Sequence, residues 1–342
     1  MIALRTIRIE KREDVRPLIQ LLAAIVALLT AMLISGVLVS VAGGSAQDAF
    51  VSLFQGGFGD PGSFLETLVK STPILLTALA ATVAFRAKLW NIGAEGQLFA
   101  GAIAAYLAYT GLPGLWPPLH MVLIVAAGCL GGALWALLAA LLKAYFRVDE
   151  IISTVMLNYV VTYLLSLLLS TVWQEPGSVY RQTPQVGAEV RLPIILPGSR
   201  LSVGFLLALL AALVVWYMFQ KTPLGYEIRA IGDNPVASRF KGISVIRIWI
   251  VTMLISGMLA GLAGATELFG VQHRLRMDLS TGYGFTGIIV AMLGGLNPVG
   301  VVIASIFFGG LINGSIRMQI ITKVPTALIS AVQAIILIFL LA

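Results

Sequence analysis

The chain has 342 residues, of which 59% are hydrophobic and only 11% charged, against about 25% charged in an ordinary soluble domain. With a mean hydropathy of +0.98 it cannot cover a water-facing surface, so a soluble globular protein is excluded and an all-α integral membrane protein is indicated. The net charge of +7 does not argue for nucleic acid, because cationic residues gather in the loops on one side of a bilayer. The single cysteine, Cys129, rules out a disulfide within the chain.

Residues 1–17 form a basic start with Arg5, Arg8, Lys11, Arg12 and Arg16. The apolar run that follows, Leu18–Val41, is longer than the roughly 7–15 residues of a signal-peptide core and reads as a retained first span. Together with it, ten runs are long enough to cross about 30 Å of hydrocarbon. They lie near 18–40, 64–84, 92–110, 120–142, 151–171, 201–219, 248–269, 283–294, 299–315 and 324–342, so that 18–342 forms one transmembrane domain. The eighth is short and interrupted by glycine, as a half-span is. With the N-terminus inside, fourteen Lys and Arg fall in inner loops and seven in outer loops, which predicts both termini in the cytoplasm.

Two outer segments are long. Ala42–Ser63 holds Gly56, Gly57, Gly59 and Pro61, and the loop 172–200 holds Pro176, Pro184, Pro193 and Pro197. Each is read either as a docking surface for an external partner or as a passive connector. Glu66 and Lys70, four apart on the second span, predict an i,i+4 ion pair.

The stretch "NIGAEGQ", residues 91–97, opens the third span with Asn91, Glu95 and Gln97 among glycines. A charge in hydrocarbon costs at least about 2.5–3.5 kcal/mol. Glu95 therefore either sits at headgroup level beside Arg86 or Lys88, or opens a broken helix facing a translocation path. Asn and Gln both donate and accept hydrogen bonds and suit a hydroxyl-rich ligand. Asn158, mid-span in the fifth run with Thr154 one turn before, either bonds a neighbouring helix or lines the path.

"RAIGDNPVASRFKGIS", residues 229–244, lies in the inner loop 220–247. Asp233 or Asn234 can cap a helix, and Pro235 suits its first position. Gly242 suits a left-handed end, and Arg239 and Lys241 favour the helix C-terminus. Two turns are unstable alone. Val236, Ala237 and Phe240 give too small an apolar face for a helix lying on lipid, so a groove on a soluble partner fits better.

Further on, Glu267 nears the outer end of the seventh span, where Arg274 or Arg276 is available to neutralise it, and Asn297 in "GGLNPVG" turns the chain. Small residues four apart, Gly128/Gly132, Gly257/Gly261, Ala260/Gly264 and Gly310/Gly314, predict close helix contacts. "FRAKLWNIGAEGQ" (85–97) and "HRLRMDLSTGYGFTG" (273–287) both run from a basic patch into a Gly-rich helix start. This makes spans 2–5 and 7–10 an inverted repeat, a plan common among transporters. An enzyme reading finds no support: His120 and His273 accompany no Cys or carboxylate at metal-ligand spacing, and neither a G-x-S-x-G elbow nor a G-x-x-x-x-G-K-[ST] phosphate cradle occurs.

"IRAIGDNPVASRFKGISV" resembles the cytoplasmic loop by which membrane subunits of bacterial ABC importers engage their ATPase. "NIGAEGQLFAGAIAA", "EIISTVMLNYV" and "GYGFTGIIVAMLGGLNPVG" resemble the simple-sugar and nucleoside branch of those permeases, the nucleoside type most of all. The resemblance runs from about residue 64 to the end. It implies a permease subunit in the bacterial inner membrane, surrounded by lipid, and paired with a second permease, a different one being favoured. It also implies ABC ATPase subunits that carry the ATP and magnesium, an extracytoplasmic binding protein or lipoprotein, and no cofactor in this chain. On this reading Asp233, Asn234, Pro235, Arg239, Phe240, Lys241 and Gly242 form the ATPase-coupling element, and Asn91, Glu95, Gln97 and Asn158 belong to the substrate path. The competing reading is a secondary transporter driven by an ion gradient, with Glu95 or Glu267 as its ion site.

Overall fold

A computed structural model describes residues 17–323, together with 331, 334 and 335. Nearly all of the last predicted span, 324–342, and of the basic start, 1–17, lies outside the described residues. The chain divides into two compact units, Met1–Phe50 with Gln319–Ala342, and Val51–Met318.

In the first unit, α1 (Pro17–Val41) ends in a turn with Gly43 at φ 84°, and Gly36 leaves room for the ring of Phe50. Helix α2 (Ala46–Phe58) begins here and continues into the second unit. The sequence suggests for 42–63 a long connecting segment or docking surface without regular structure, whereas residues 46–58 are helical. Gly56 and Gly57 are the points at which α2 meets Gly314 and Gly310, where any Cβ would collide. The glycines that look like a loop are the residues that let two backbones touch.

The second unit holds α3 (Pro61–Arg86), α4 (Ala94–Gly111), α5 (Pro117–Phe146), α6 (Glu150–Ser170), α7 (Gly204–Lys221), α8 (Pro223–Asp233), α9 (Pro235–Phe240), α10 (Val245–Glu267), α11 (Tyr283–Leu293) and most of α12 (Pro298–Thr322). Among the described residues there is no strand, only isolated bridges at Gln182–Arg276 and Ile194–Ser202. Among the described residues, six helices are long and apolar enough to cross a membrane: α3, α5, α6, α7, α10 with its extension, and α12. A seventh is added if the bent pair Leu29–Val41 and Ala46–Phe58 forms one span. α4 and α11 are helices where spans were predicted, but fall short of that standard.

α11, with 11 residues, is too short, and burial shapes the composition of the inner helices. α3 is enclosed along most of its length, packing against α10, α11 and α7, while α4 lies against α5, α10 and α6. A helix surrounded by protein need not match lipid, so small and hydroxyl residues replace leucine. Thr67, Ser71, Thr72, Thr77 and Thr82 are buried along α3. The predicted glycine contacts form within the subunit: Gly128 and Gly132 of α5 interlock with Gly257 and Gly261 of α10, Gly101 of α4 meets Gly261, and Gly264 sits against the Leu98 carbonyl. On the other side, Gly309 of α12 rests on Thr67 and Ser71 of α3. α10 thus packs on α4 and α5, and α3 packs on α11 and α12.

Candidate functional site

The chain between α3 and α4 has no room for helix. Lys88 turns left-handed at φ 53°, and residues 90–93 run irregularly before α4 starts. Irregular backbone at membrane depth leaves amides without partners, and it persists only where protein supplies them. Here side chains do so. Asn91 and Gln97 exchange reciprocal amide bonds, both 3.0 Å. Asn91 Oδ1 also accepts from the Gly93 amide at 3.0 Å, and its Nδ2 donates to Ser256 Oγ at 2.9 Å. Ser256 in turn donates to the Ala80 carbonyl of α3 at 2.7 Å. From α6, Asn158 accepts from the Gly96 amide at 2.8 Å and donates to the Ile92 carbonyl at 3.0 Å. Thr154 Oγ1 accepts from the Ile92 amide at 3.3 Å.

Glu95 points the other way. Its Oε2 accepts from the Gly284 amide in the first turn of α11 at 2.7 Å. Ser280 Oγ accepts from the Gly282 amide at 3.2 Å and from the Tyr283 amide at 3.0 Å. Thr77 of α3 donates to the Tyr283 carbonyl at 2.8 Å. A carboxylate at a helix N-terminus is favoured by the orphan amides and the dipole there. The close contact is possible because Gly284 has no Cβ to strike the Glu95 backbone. All four sequence-predicted path residues, Asn91, Glu95, Gln97 and Asn158, are buried. They gather at one place, where α4 starts and α11 starts. Their partner Ser256 had no local signal, since a single hydroxyl in an apolar run looks like packing.

At its C-terminal end α10 widens into a π-helical stretch, Leu268–Gln272, and His273 closes it at φ 58°. Gln272 bridges the turn to Glu267 at 3.0 Å and to the Leu279 carbonyl at 3.1 Å. The expectation that Arg274 or Arg276 neutralises Glu267 does not hold, because Arg274 pairs with Glu175 and Arg276 with Asp278. The loop 172–200 is strapped onto this region. Thr183 and Val186 amides donate to the Leu275 and His273 carbonyls, and the Leu192 amide donates to Phe269 O at 2.9 Å. Glu175, held by Gln182 and Arg274, lies below its ordinary pKa of 4.5. The Glu66–Lys70 pair is also replaced: Arg200 takes both oxygens of Glu66, at 3.0 and 2.5 Å. A planar guanidinium fork matches a carboxylate better than an ammonium does.

The segment 233–242 folds as its residues dictate. Asn234, rather than Asp233, caps α9, accepting from the Val236 and Ala237 amides at 3.0 Å each. Pro235 takes the first position, and Gly242 is left-handed at φ 81°. Phe240 is 88% exposed. α8, the preceding helix, anchors this unit: Gly232 lies on the Arg86 carbonyl and Arg229 donates to the Phe219 carbonyl; Arg86, at the end of α3, itself donates to Leu296 O at 3.0 Å. A groove of about 320 Å³ between α8 and α9 is lined by Tyr226, Arg229, Asp233, Asn234, Ser238 and Lys241, among others. Among the described residues, no group of His, Cys, Asp and Glu is placed to hold a metal ion.

Apolar helices around a polar centre, a strapped loop and an exposed capped helix are the parts of a membrane-embedded protein. A family described as the permease component of branched-chain amino acid transport systems matches residues 63–341, and the chain belongs to that family. It is 37% identical over 95% of its length and 94% of the other chain to NupP, a guanosine ABC transporter permease protein of Bacillus subtilis (strain 168). It is 31% identical over 91% and 90% to NupB, a nucleoside ABC transporter permease protein of Lactococcus lactis subsp. cremoris. To TsgB13, a glucose ABC transporter permease protein of Haloferax volcanii, it is 30% identical over 93% and 86%. The chain is accordingly a multi-pass membrane permease subunit of an ABC importer and not an enzyme.

Proposed function

We propose that this permease carries nucleosides, or a closely related sugar-bearing solute, inward across the bacterial cytoplasmic membrane as one of two different permeases in the complex. The observation that carries the choice of cargo is the 37% identity with a guanosine permease protein over almost the whole of both chains; the glucose relative marks the related sugar alternative. A binding protein or lipoprotein delivers the solute at the outer loop 172–200, which is supported by its fastening to the end of α10. ATPase subunits grip the element Asp233–Gly242, supported by the exposure of α9 and the anchoring of α8.

The architecture proposed is ten spans with both termini cytoplasmic, as the Lys and Arg distribution favours. Spans 2–5 and 7–10 are read as an inverted repeat, supported by the matching neighbourhoods of α3 and α10. Asn91, Glu95, Gln97 and Asn158 shape the path by fixing where α4 and α11 begin. Proteoliposomes holding this chain, its partner permease and the ATPases, supplied with the binding protein, are expected to accumulate guanosine on ATP without any ion gradient. Gradient-driven uptake without ATP, or ATP-driven uptake of a base-free sugar with no nucleoside uptake, overturns this reading.

A further inference from the structure

α6 has 21 residues, about 31 Å of helix, which matches the hydrocarbon thickness of a bilayer, about 30 Å. One face is buried, with Thr154, Asn158, Val161, Leu165 and Leu169. The opposite face is exposed as a stripe of Ile152, Met156, Tyr159, Tyr163 and Leu167, spaced by three and four. The exposed middles of its neighbours look like lipid-facing surface: Leu130, Leu134 and Leu138 on α5, and Leu206, Leu210 and Leu213 on α7. Exposed aromatics on those two helices stand at or near their ends, as Trp116, Tyr145, Phe146 and Tyr217 do. That is where an aromatic belt belongs.

The two tyrosines of α6 break this pattern. Tyr159 is the tenth residue of twenty-one, at the middle of the span, and Tyr163 is one turn further. They are 58% and 73% exposed, and neither hydroxyl has a hydrogen-bond partner among the described residues. A hydroxyl turned into hydrocarbon has neither water nor protein to bond. Lipid is therefore the wrong neighbour for this stripe, and a water-filled path is the right one. The buried amides of Asn91, Gln97 and Asn158 already have partners inside the subunit, whereas Tyr159 and Tyr163 are unspent. Two phenol rings one turn apart, with the soft side chain of Met156 beside them, offer faces to a flat heterocycle.

We infer that the exposed stripe of α6 is a wall of the translocation path, and that Tyr159 and Tyr163 are the surface on which the base of the substrate stacks. The stacking role rests on the nucleoside reading above; the wall does not. Two measurements on the complete complex in proteoliposomes test them. In a Cys129→Ala background, Tyr163→Cys is expected to react with a charged, membrane-impermeant methanethiosulfonate. Reaction with a lipid-soluble maleimide alone overturns the wall. In the transport arm, Tyr159→Leu with Tyr163→Leu is expected to raise KM for guanosine about tenfold, the size of one lost base–aromatic stack. The corresponding pair of Phe substitutions should stay near the wild-type KM. An unchanged KM in the leucine pair overturns the stacking role. Failure of the leucine pair to capture the partner permease also overturns it, by making the stripe a subunit seam. If wild-type complex takes up no nucleoside, the cargo assignment and the stacking role fall with it, while the thiol labelling, which needs no substrate, still decides the wall.

Discussion

Asn158 uses both ends of its amide on one stretch of backbone, accepting from the Gly96 N–H and donating to the Ile92 carbonyl. Neither group has a helical partner, since the first amides of a helix and the residues before it are left over by the geometry. Asn158→Leu keeps the bulk and removes both bonds inside a buried site. It is expected to cost about 1–3 kcal/mol for the groups left unpaired and to lower the melting temperature of the purified subunit in detergent. An unchanged melting temperature would show that the start of α4 is held by something else. The importance of such residues was legible in the sequence, because an Asn or Glu in an apolar run has to be compensated. Their partners were not, because Ser256 lies 165 positions from Asn91 and Gly284 lies 189 from Glu95. The same limit misplaced Glu66. A local rule offers Lys70, four residues on, but the fold brings Arg200 from 134 positions away to take both carboxylate oxygens.

At the scale of elements, legibility follows how local the cause is. α9 was readable but for the choice of cap between Asp233 and Asn234, because cap, proline and left-handed glycine act within ten residues, as Asn234, Pro235 and Gly242 do. α2 was unreadable because Gly56 and Gly57 disfavour a helix locally, and only the contact with α12 shows what they are for. The π-helical turn after Glu267 likewise depends on distant backbone, with Leu192 bonding Phe269 and Gln272 reaching Leu279. The strap between residues 175 and 192 carries its own pH dependence. Gln182 and Arg274 hold Glu175 below its ordinary value of 4.5. A depressed carboxylate contributes attachment that is fully present above the unfolded pKa and is lost as pH falls through the folded one. Hydrogen exchange of residues 174–192 is therefore expected to speed up as pH drops below about 4.5, after correction for the intrinsic exchange rate. In Glu175→Gln the corrected exchange should already be fast at neutral pH and show no such step. A step of equal size in that variant would assign it to another group.

Across the whole molecule, the proposal that an ATPase acts on α9 requires that work done on a six-residue helix reach the spans. α9 alone is too short to transmit force, but it is continuous with α8, and α8 is fixed at two points. Gly232 lies on the Arg86 carbonyl at the end of α3 and Arg229 donates to Phe219 near the end of α7, while Arg86 itself donates to Leu296 in the turn before α12. Grip and transmission thus fall on different residues and separate by mutation. Phe240, 88% exposed with Arg239 beside it, belongs to grip. Phe240→Ala with Arg239→Ala is expected to weaken capture of the ATPase about tenfold to a hundredfold, the range of an interface anchor, with the melting temperature of the permease unchanged. Gly232 belongs to transmission, since any side chain there drives α8 off the Arg86 carbonyl. Gly232→Val is expected to capture the ATPase normally and let it hydrolyse ATP, while ATP-driven uptake is lost. Pull-down, ATPase rate and uptake measured on the same two variants separate the roles. If Gly232→Val loses capture, or if the Phe240 variant keeps it, force does not enter through α9 and pass along α8.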